Sequence, residues 1–483
     1  MSVFECELQH RPQLQGTKEA DVCILGAGMA GLNLAFLLSN SGKKVIVLEK
    51  NTIGSGQSCK TTAKMTCLPG FFYAELIERM GMRKAEQVAR MMRKGLQTYA
   101  DLIYHHQIDC DFERLPFMLM SKDEENIEKE AKALNDLGFL CSVEKKKDTL
   151  LGCHHVLKLE NQAQFNAGHW MSAISKGLEI YEHSTVLRVE QKEVFADKGK
   201  VKADAIVFCD HFPFVNAPGF YFMKMHQTRS HVLALRNVPR VNEMLYLADG
   251  PIETLRFVGQ TALYGGFSHP TGQGDEAVLD KMKKKALERF PDAQIVDQWS
   301  AQDCITLDHL PYAGKFSSQR PSWYVSTGFN KWGMIYSMVS ALILHDQICG
   351  VEHPDAEPFD SLRSMMNTPI EELKQLFTAL KGYYDEFLTL PSLKIEDIEP
   401  GNGGVVEVDN MSLGVYKDTD GSIYTVCTRC PHLKCQLTWN GAEKTWDCPC
   451  HGSRFDCYGN RLDGPAETES ILLYKQSSTA QNS

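Results

Sequence analysis

Residues 20–31 read Ala20-Asp-Val-Cys-Ile-Leu25-Gly26-Ala-Gly28-Met-Ala-Gly31. An apolar run of strand length passes straight into three glycines spaced G-x-G-x-x-G. A helical pattern follows through Leu32, Leu34, Ala35, Leu37 and Leu38 and ends near Asn40–Gly42. A second apolar run, Lys44–Leu48, closes on Glu49. Strand, helix and strand in this order make a βαβ unit and therefore a parallel sheet. Gly26 permits the tight turn, Gly28 lets the backbone approach a pyrophosphate, and Gly31 lets helix and strand pack closely. The first helical turn, with Met29 and Ala30, offers N–H groups and the positive end of the dipole to phosphates. Glu49, eighteen residues after Gly31, can accept hydrogen bonds from ribose hydroxyls, and its charge disfavours a 2′-phosphate. The segment reads as a dinucleotide site; the fingerprint alone does not separate FAD from NAD.

The flanking sequence extends that reading. Lys50 is followed by a glycine- and hydroxyl-rich loop containing Gly54, Gly56, Thr61 and Thr62, able to wrap the rest of a large dinucleotide. Strands are expected over Ser184–Gln191, Ala205–Phe208 and Ser322–Thr327, and a helix over Asp123–Gly138. The third strand leads into Gly328-Phe-Asn330-Lys331-Trp332-Gly333 and an apolar helix from Met334 to Ile348. This second strand–glycine–helix junction can turn a helix N-terminus toward the electron-rich side of a reduced flavin. Lys331 either adds positive charge there or is an exposed turn lysine.

The C-terminal part carries different chemistry. Residues 430–453 begin CPHLKC and end CPCHGS, with the pairs Cys430/His432 and Cys448/His451 on two loops. Two thiolates and two imidazoles suit a Rieske [2Fe-2S] cluster, in which histidines replace cysteines on one iron. A zinc ribbon through Cys427, Cys430, Cys448 and Cys450 is the competing reading; it leaves both histidines unused, and Cys448-x-Cys450 is the wrong spacing for a second knuckle. Around these loops VVEV, LGVYK and SIYTV read as short strands of an all-β module.

Composition sets bounds. A chain of 483 residues with 43% hydrophobic and 23% charged residues suggests two or three globular domains. The net charge of −10 argues against nucleic-acid binding, since no basic excess exists to neutralise phosphates. Met334–Ile348 is too short to span a bilayer and contains His345 and Asp346, so no integral membrane segment is expected. The N-terminus has no apolar signal core, which points to the cytoplasm. The expected boundaries are residues 1–365 for the dinucleotide-dependent part, 366–390 for a helical connector, 391–475 for the iron-sulfur module and 476–483 for a disordered tail.

The motifs ADVCILGAGMAGL, VIVLEK, TLDHLPYAG (Thr306–Gly314) and TGFNKWGM (Thr327–Met334) resemble those of the D-amino-acid-oxidase-like FAD-dependent oxidoreductases. Joined to the C-terminal motif, the chain resembles bacterial fusions of such an enzyme to a Rieske domain, from about Asp21 to Ala466. The resemblance implies an α/β FAD domain, with a doubly wound sheet and an antiparallel substrate-domain sheet, followed by a small all-β Rieske domain. It implies FAD passing its adenine by Val186 and its isoalloxazine by Phe329–Met334. It implies Cys430, His432, Cys448 and His451 as iron ligands and a disulfide between Cys435 and Cys450. Ser453 matches a serine that, in high-potential Rieske proteins, bonds a bridging sulfide. Phe455 stands where those proteins carry a tyrosine, so one donor to a cysteine sulfur is missing and the potential is expected below the top of the roughly −150 to +300 mV Rieske range. Lys434 replaces a glycine of that motif.

The expected function is oxidation of a small amine or amino acid, with electrons passed singly through the cluster to an external acceptor or redox partner protein. The alternatives are a reductase feeding a separate oxygenase or carrier, and a one-chain Rieske oxygenase, for which Asp101, His105 and His106 lack suitable spacing. The sequence names no catalytic residue. Arg229, Arg236, Arg256 and Arg320 are candidates to hold a substrate carboxylate, and His226, His231, His269 and His309 are unassigned.

Overall fold

Val22–Leu25 is buried throughout, as the middle strand of a parallel sheet covered on both faces must be. The computed structural model describes residues 9–146, 149–274, 277–364, 393–408, 411–468 and 470–476. Strand Gly16–Leu25 lies between Val45–Leu48 and Gly199–Phe208, parallel to both. The eight-stranded sheet runs Tyr312–Lys315, Trp323–Thr327, Gly199–Phe208, Gly16–Leu25, Val45–Leu48, Glu179–Tyr181, with Val186–Glu190 and Glu193–Ala196 attached at one side. Five parallel strands end at one edge, where Gly26, Glu49, Cys209 and Gly328 follow four of them. That crevice beyond the carboxyl ends is where doubly wound sheets bind ligands.

A nine-stranded sheet forms the opposite wall. One half of it, starting at an edge, is the antiparallel set Gln294–Thr306, Met225–Arg236, Thr261–Pro270 and Glu253–Val258. Beneath the crevice, helices Met29–Asn40 and Gly333–Ile348 are buried along most of their length. One polar network ties them to helices Met82–His105 and Ala167–Ile174: Asn33 donates to Tyr99 (2.8 Å) and Ser337 (3.2 Å), Tyr99 donates to the Met334 carbonyl (2.8 Å), and Trp170 donates to Asn33 (3.0 Å). Because every partner is satisfied, this buried polar cluster fixes one arrangement of the helices rather than costing stability.

Sequence expectations differ from the structure mainly at element ends. The helix expected over 123–138 spans Glu124–Asp136, because the Asp123 carboxylate caps it by accepting from Asn126 N at 3.1 Å. The strand around Val186 is shorter, Val186–Glu190. The apolar run Ala205–Phe208 is the inner end of the longer strand Gly199–Phe208, whose outer half alternates buried and exposed residues. Among the described residues no helix is long and apolar enough to cross a membrane.

Beyond residue 393 the chain forms two four-stranded antiparallel sheets. Trp446 sits between them, packed on Trp439 at 4.8 Å. Gly414 is required beside it: a Cβ there would lie 2.6 Å from Val426 and 2.8 Å from Trp446. The connector expected at 366–390 and tail residues 477–483 lie outside the described residues; Gln476, expected in the tail, ends strand Leu472–Gln476.

Arg363 anchors the end of the first part. Its guanidinium donates to both Asp308 carboxylate oxygens (2.6 and 2.8 Å) and to the Leu310 and Pro311 carbonyls, and it stacks on Tyr312 at 4.0 Å. Burial works against the Asp308 charge, but Arg363 outweighs it and holds the carboxyl below its usual range. Asp308→Asn should therefore destabilise the protein by about 3–5 kcal/mol, by leaving a buried guanidinium unpaired, read as a lowered Tm. With the folded pKa below the unfolded value of about 3.9, the wild-type advantage is complete above that pH and disappears as pH falls through the folded pKa. An unchanged Tm at neutral pH contradicts this.

Candidate functional site

A cavity of about 800 Å³ lies between the two large sheets. Every dinucleotide residue named from the sequence lines it except Gly31. Gly31 instead lets the helix close on the turn: a Cβ there would stand 2.0 Å from the Gly26 carbonyl oxygen. At Gly26, with φ +105, a Cβ would meet the Cys209 oxygen at 2.5 Å. The turn is thus glycine by steric necessity at both ends. Gly28 gives the helix behind it no side-chain cap and no acid stands in its first turn, so beyond Met29 its first N–H groups and the positive end of its dipole are left for a ligand. Ser58, which sequence reasoning missed, holds the turn by accepting from Met29 N at 2.9 Å.

Several roles proved more specific than the sequence suggested. Glu49 accepts from Ala27 N (2.8 Å) and Asn51 N (2.9 Å), and burial raises its pKa against those bonds. The Asn330 side chain is spent within the protein, accepting from Thr306 N and donating to the Gly328 carbonyl. Lys331 is not an exposed turn lysine. It lines the cavity facing Asp303, and burial lowers its pKa. Lys64, also missed, is buried in the cavity wall, where burial and the neighbouring charge of Arg256 push its pKa down to about 7.

A second chamber of about 490 Å³ adjoins the Lys331–Trp332 end and is lined by Arg79, His226, His269 and His309. Of the arginines proposed to hold a carboxylate, none lines it. Arg229 is paired with Glu443, Arg256 donates to the Ala63 and Phe165 carbonyls, Arg320 packs on Trp323, and Arg236 is exposed. Arg79 is the arginine that reaches the chamber, and no local motif marked it.

In the C-terminal module the two loops named from the sequence meet. The Cys430 and Cys448 thiols are hydrogen-bonded; that bond lowers the pKa of Cys430 and raises that of Cys448. The rings of His432 and His451 stand perpendicular, 4.9 Å apart. Both Nδ1 atoms are buried without a hydrogen-bond partner, an expensive state unless something else binds them. His432 Nε2 is satisfied by Asn216 Oδ1 at 2.7 Å. A disulfide joins Cys435 to Cys450, so Cys450 is not a zinc thiolate, and Cys427 turns its sulfur toward the Arg429 carbonyl. Two sulfurs and two orphaned imidazole nitrogens on facing loops fit a Rieske cluster and not a zinc ribbon. Ser453 bonds the Cys430 thiol, Phe455 is fully buried with no hydroxyl to offer, and Lys434 is exposed in the left-handed conformation, φ +65, which favours the glycine it replaces.

The module is docked on the body of the protein through its cluster side. Gln227 donates to the carbonyls of His451 (2.6 Å) and Gly464 (3.1 Å). Gln302 donates to Gln227 Oε1 (2.7 Å) and the Gly452 carbonyl (2.8 Å). Phe222 stands edge-on to both His432 and His451 at 5.8 and 5.7 Å. Arg229 binds Glu443, which also pairs with Arg454 at 3.2 Å.

Fold and site together define a dinucleotide-dependent redox protein with an iron-sulfur module. Comparison with known proteins gives the family. The model for FAD dependent oxidoreductases matches residues 21–347 and the Rieske [2Fe-2S] domain model residues 389–476. The chain belongs to the FAD-dependent oxidoreductase family and carries a C-terminal Rieske domain; its cofactors are FAD and a [2Fe-2S] cluster. It is 32% identical to YhfW of Bacillus subtilis, which bears the name of a Rieske 2Fe-2S iron-sulfur protein, over 95% of this chain and 94% of that one. It is 23% identical to the gamma-glutamylputrescine oxidoreductase of Escherichia coli over 75% of this chain and 91% of that one. The fold matches that of glycine oxidase from Geobacillus kaustophilus with TM-score 0.61 and 18% identity, over 72% of this chain and 99% of that one.

The seam yields a prediction. Burial opposes the Glu443 charge, but Arg454 and Arg229 outweigh it and keep the carboxyl ionised. Glu443→Ala should cost about 3–5 kcal/mol by stranding the buried Arg229. Hydrogen exchange should then quicken in strands Thr445–Asp447 and Arg454–Asp456. Unchanged exchange there would show that the pair does not hold the seam.

Proposed function

We propose that this oxidoreductase oxidises a small amine or amino acid in the chamber beside Lys331, and that the electrons leave singly through the Rieske module to an external acceptor. Cys430, Cys448 and the Nδ1 atoms of His432 and His451 are assigned as the cluster ligands. When bound, FAD supplies two-electron chemistry toward substrate and the cluster one-electron chemistry toward an acceptor.

One observation carries the internal route. The loop that follows strand Gly199–Phe208 lines the dinucleotide cavity with Cys209, Asp210, His211, Phe212 and Phe214. A few residues on, the same loop touches both cluster histidines with Asn216 and Phe222. One short stretch of chain, residues 209–222, thus reaches both sites. Asn216 has a second effect: its Oδ1 accepts from His432 Nε2–H, which fixes the tautomer that leaves Nδ1 free to ligate.

The substrate class is argued from the second chamber. Arg79 and Lys331 bring cationic groups to its lining beside the histidines His226 and His309, which suits a carboxylate. The one acid there, Glu75, is paired with Arg79 at 2.9 Å. His226 is held neutral, its pKa lowered to about 4 by burial and then by His309 and Lys331, so it is a weak base that can offer a neutral ring nitrogen as a hydrogen-bond partner to substrate. The names of the glycine oxidase and the gamma-glutamylputrescine oxidoreductase agree with an amine or amino-acid substrate.

Anaerobic titration with a panel of amino acids and amines tests the reading. One compound should bleach the flavin bands and raise the EPR signal of the reduced Rieske centre together. In Cys448→Ser the bleaching should persist while that signal vanishes. Reduction of both centres by NADH alone, with no response to any amine or amino acid, would favour the reductase reading.

A further inference from the structure

We infer that the Rieske module supplies part of the dinucleotide site, so that FAD binding and docking of the module reinforce each other. Arg461, Leu462, Asp463, Gly464 and Glu467 belong to the module, yet they line the same cavity as Gly26, Gly28 and Glu49. The cavity is therefore incomplete without the iron-sulfur module.

The contact is built through one short helical turn, Gln57–Lys60. On one side Ser58 accepts from Met29 N, the first N–H of the phosphate-facing helix, and lies 3.0 Å from where a Cβ of Gly28 would be. On the other side the neighbouring Gln57 donates to Asp463 Oδ1 at 2.9 Å, while its Oε1 accepts from Gln302 N at 2.8 Å. Asp463 is balanced by charges from both parts of the protein. Burial opposes its ionisation, and Lys60 and Arg454, then Arg229 and His211, outweigh it. Arg454 continues the path at 2.9 Å to Asp447, the residue before Cys448. An unbroken series of bonded groups thus runs from the glycine turn through Ser58, Gln57, Asp463 and Arg454 to the cluster loop. A ligand seated on the turn braces Gln57–Lys60 and with it the clasp on Asp463. By linkage, a docked module must then raise affinity for the dinucleotide by the same factor. This makes Gln57 and Asp463 positioning residues for the cofactor, and it rests on the FAD and Rieske cofactors but not on the identity of the substrate.

The test uses the full-length chain, freed of FAD and titrated with it. FAD affinity, followed by quenching of flavin fluorescence, should fall between about 5- and 150-fold in Gln57→Ala and in Asp463→Asn, the usual span of coupling between two sites. The Rieske EPR line shape should be retained, showing that each variant folds. In the wild type, FAD should slow hydrogen exchange in residues 454–464 as well as at the Gly26–Gly31 turn. FAD affinity unchanged in both variants, or exchange protection confined to the turn, overturns the inference. Neither result bears on whether amines reduce the flavin, so this inference and the functional reading fail separately.

Discussion

The docking of the Rieske module against the oxidoreductase body is the constraint on which the rest depends. It is made largely of hydrogen bonds from side-chain amides: Gln227 and Gln302 donate across to the backbone carbonyls of His451, Gly452 and Gly464. Both glutamines are buried, so leaving either unpaired would cost more than the bond itself is worth. The interface also has no room for enlargement. A Cβ at Gly452 would meet Gln227 at 2.7 Å, and one at Gly272 would meet Pro449 N at the same distance. Such a seam favours one pose of the module over a mobile tether.

Fixing the pose has consequences for both redox sites. The cluster histidines face the body through Asn216 and Phe222, while Leu433 and Lys434 at the tip of the same loop remain exposed. The 430–435 loop therefore has an inner side toward the oxidoreductase body and an outer side open to solvent. On the other side of the seam, the second chamber meets the dinucleotide cavity at Lys331 and Trp332.

Much of this was legible in the sequence. The glycine fingerprint, the acid at Glu49 and the second junction at Gly328–Gly333 gave the nucleotide crevice, because local backbone sterics dictate those residues. The paired Cys-x-His and Cys-x-x-His loops gave the cluster for a similar reason: its ligands come from two short segments. What escaped notice was made by long-range contact. Ser58 and Lys64 lie in the glycine- and hydroxyl-rich loop, which does not single them out, and Arg79 has no local motif; their roles appear only when distant strands assemble the cavities. Arg229 looked like a carboxylate binder and is instead committed to Glu443, some two hundred residues away in the chain. The contribution of Asp463 to the dinucleotide cavity depends on how two domains meet, which no periodicity in either records.

The central claim is that the two redox sites communicate within one chain. Photoreducing the flavin of the loaded protein under anaerobic conditions and following reduction of the cluster over time tests it most directly. The account predicts a first-order rate that does not change with protein concentration, and that slows when Phe222 or Asn216 is replaced by alanine. A rate that rises in proportion to protein concentration would contradict it, since the electron would then be passing between molecules.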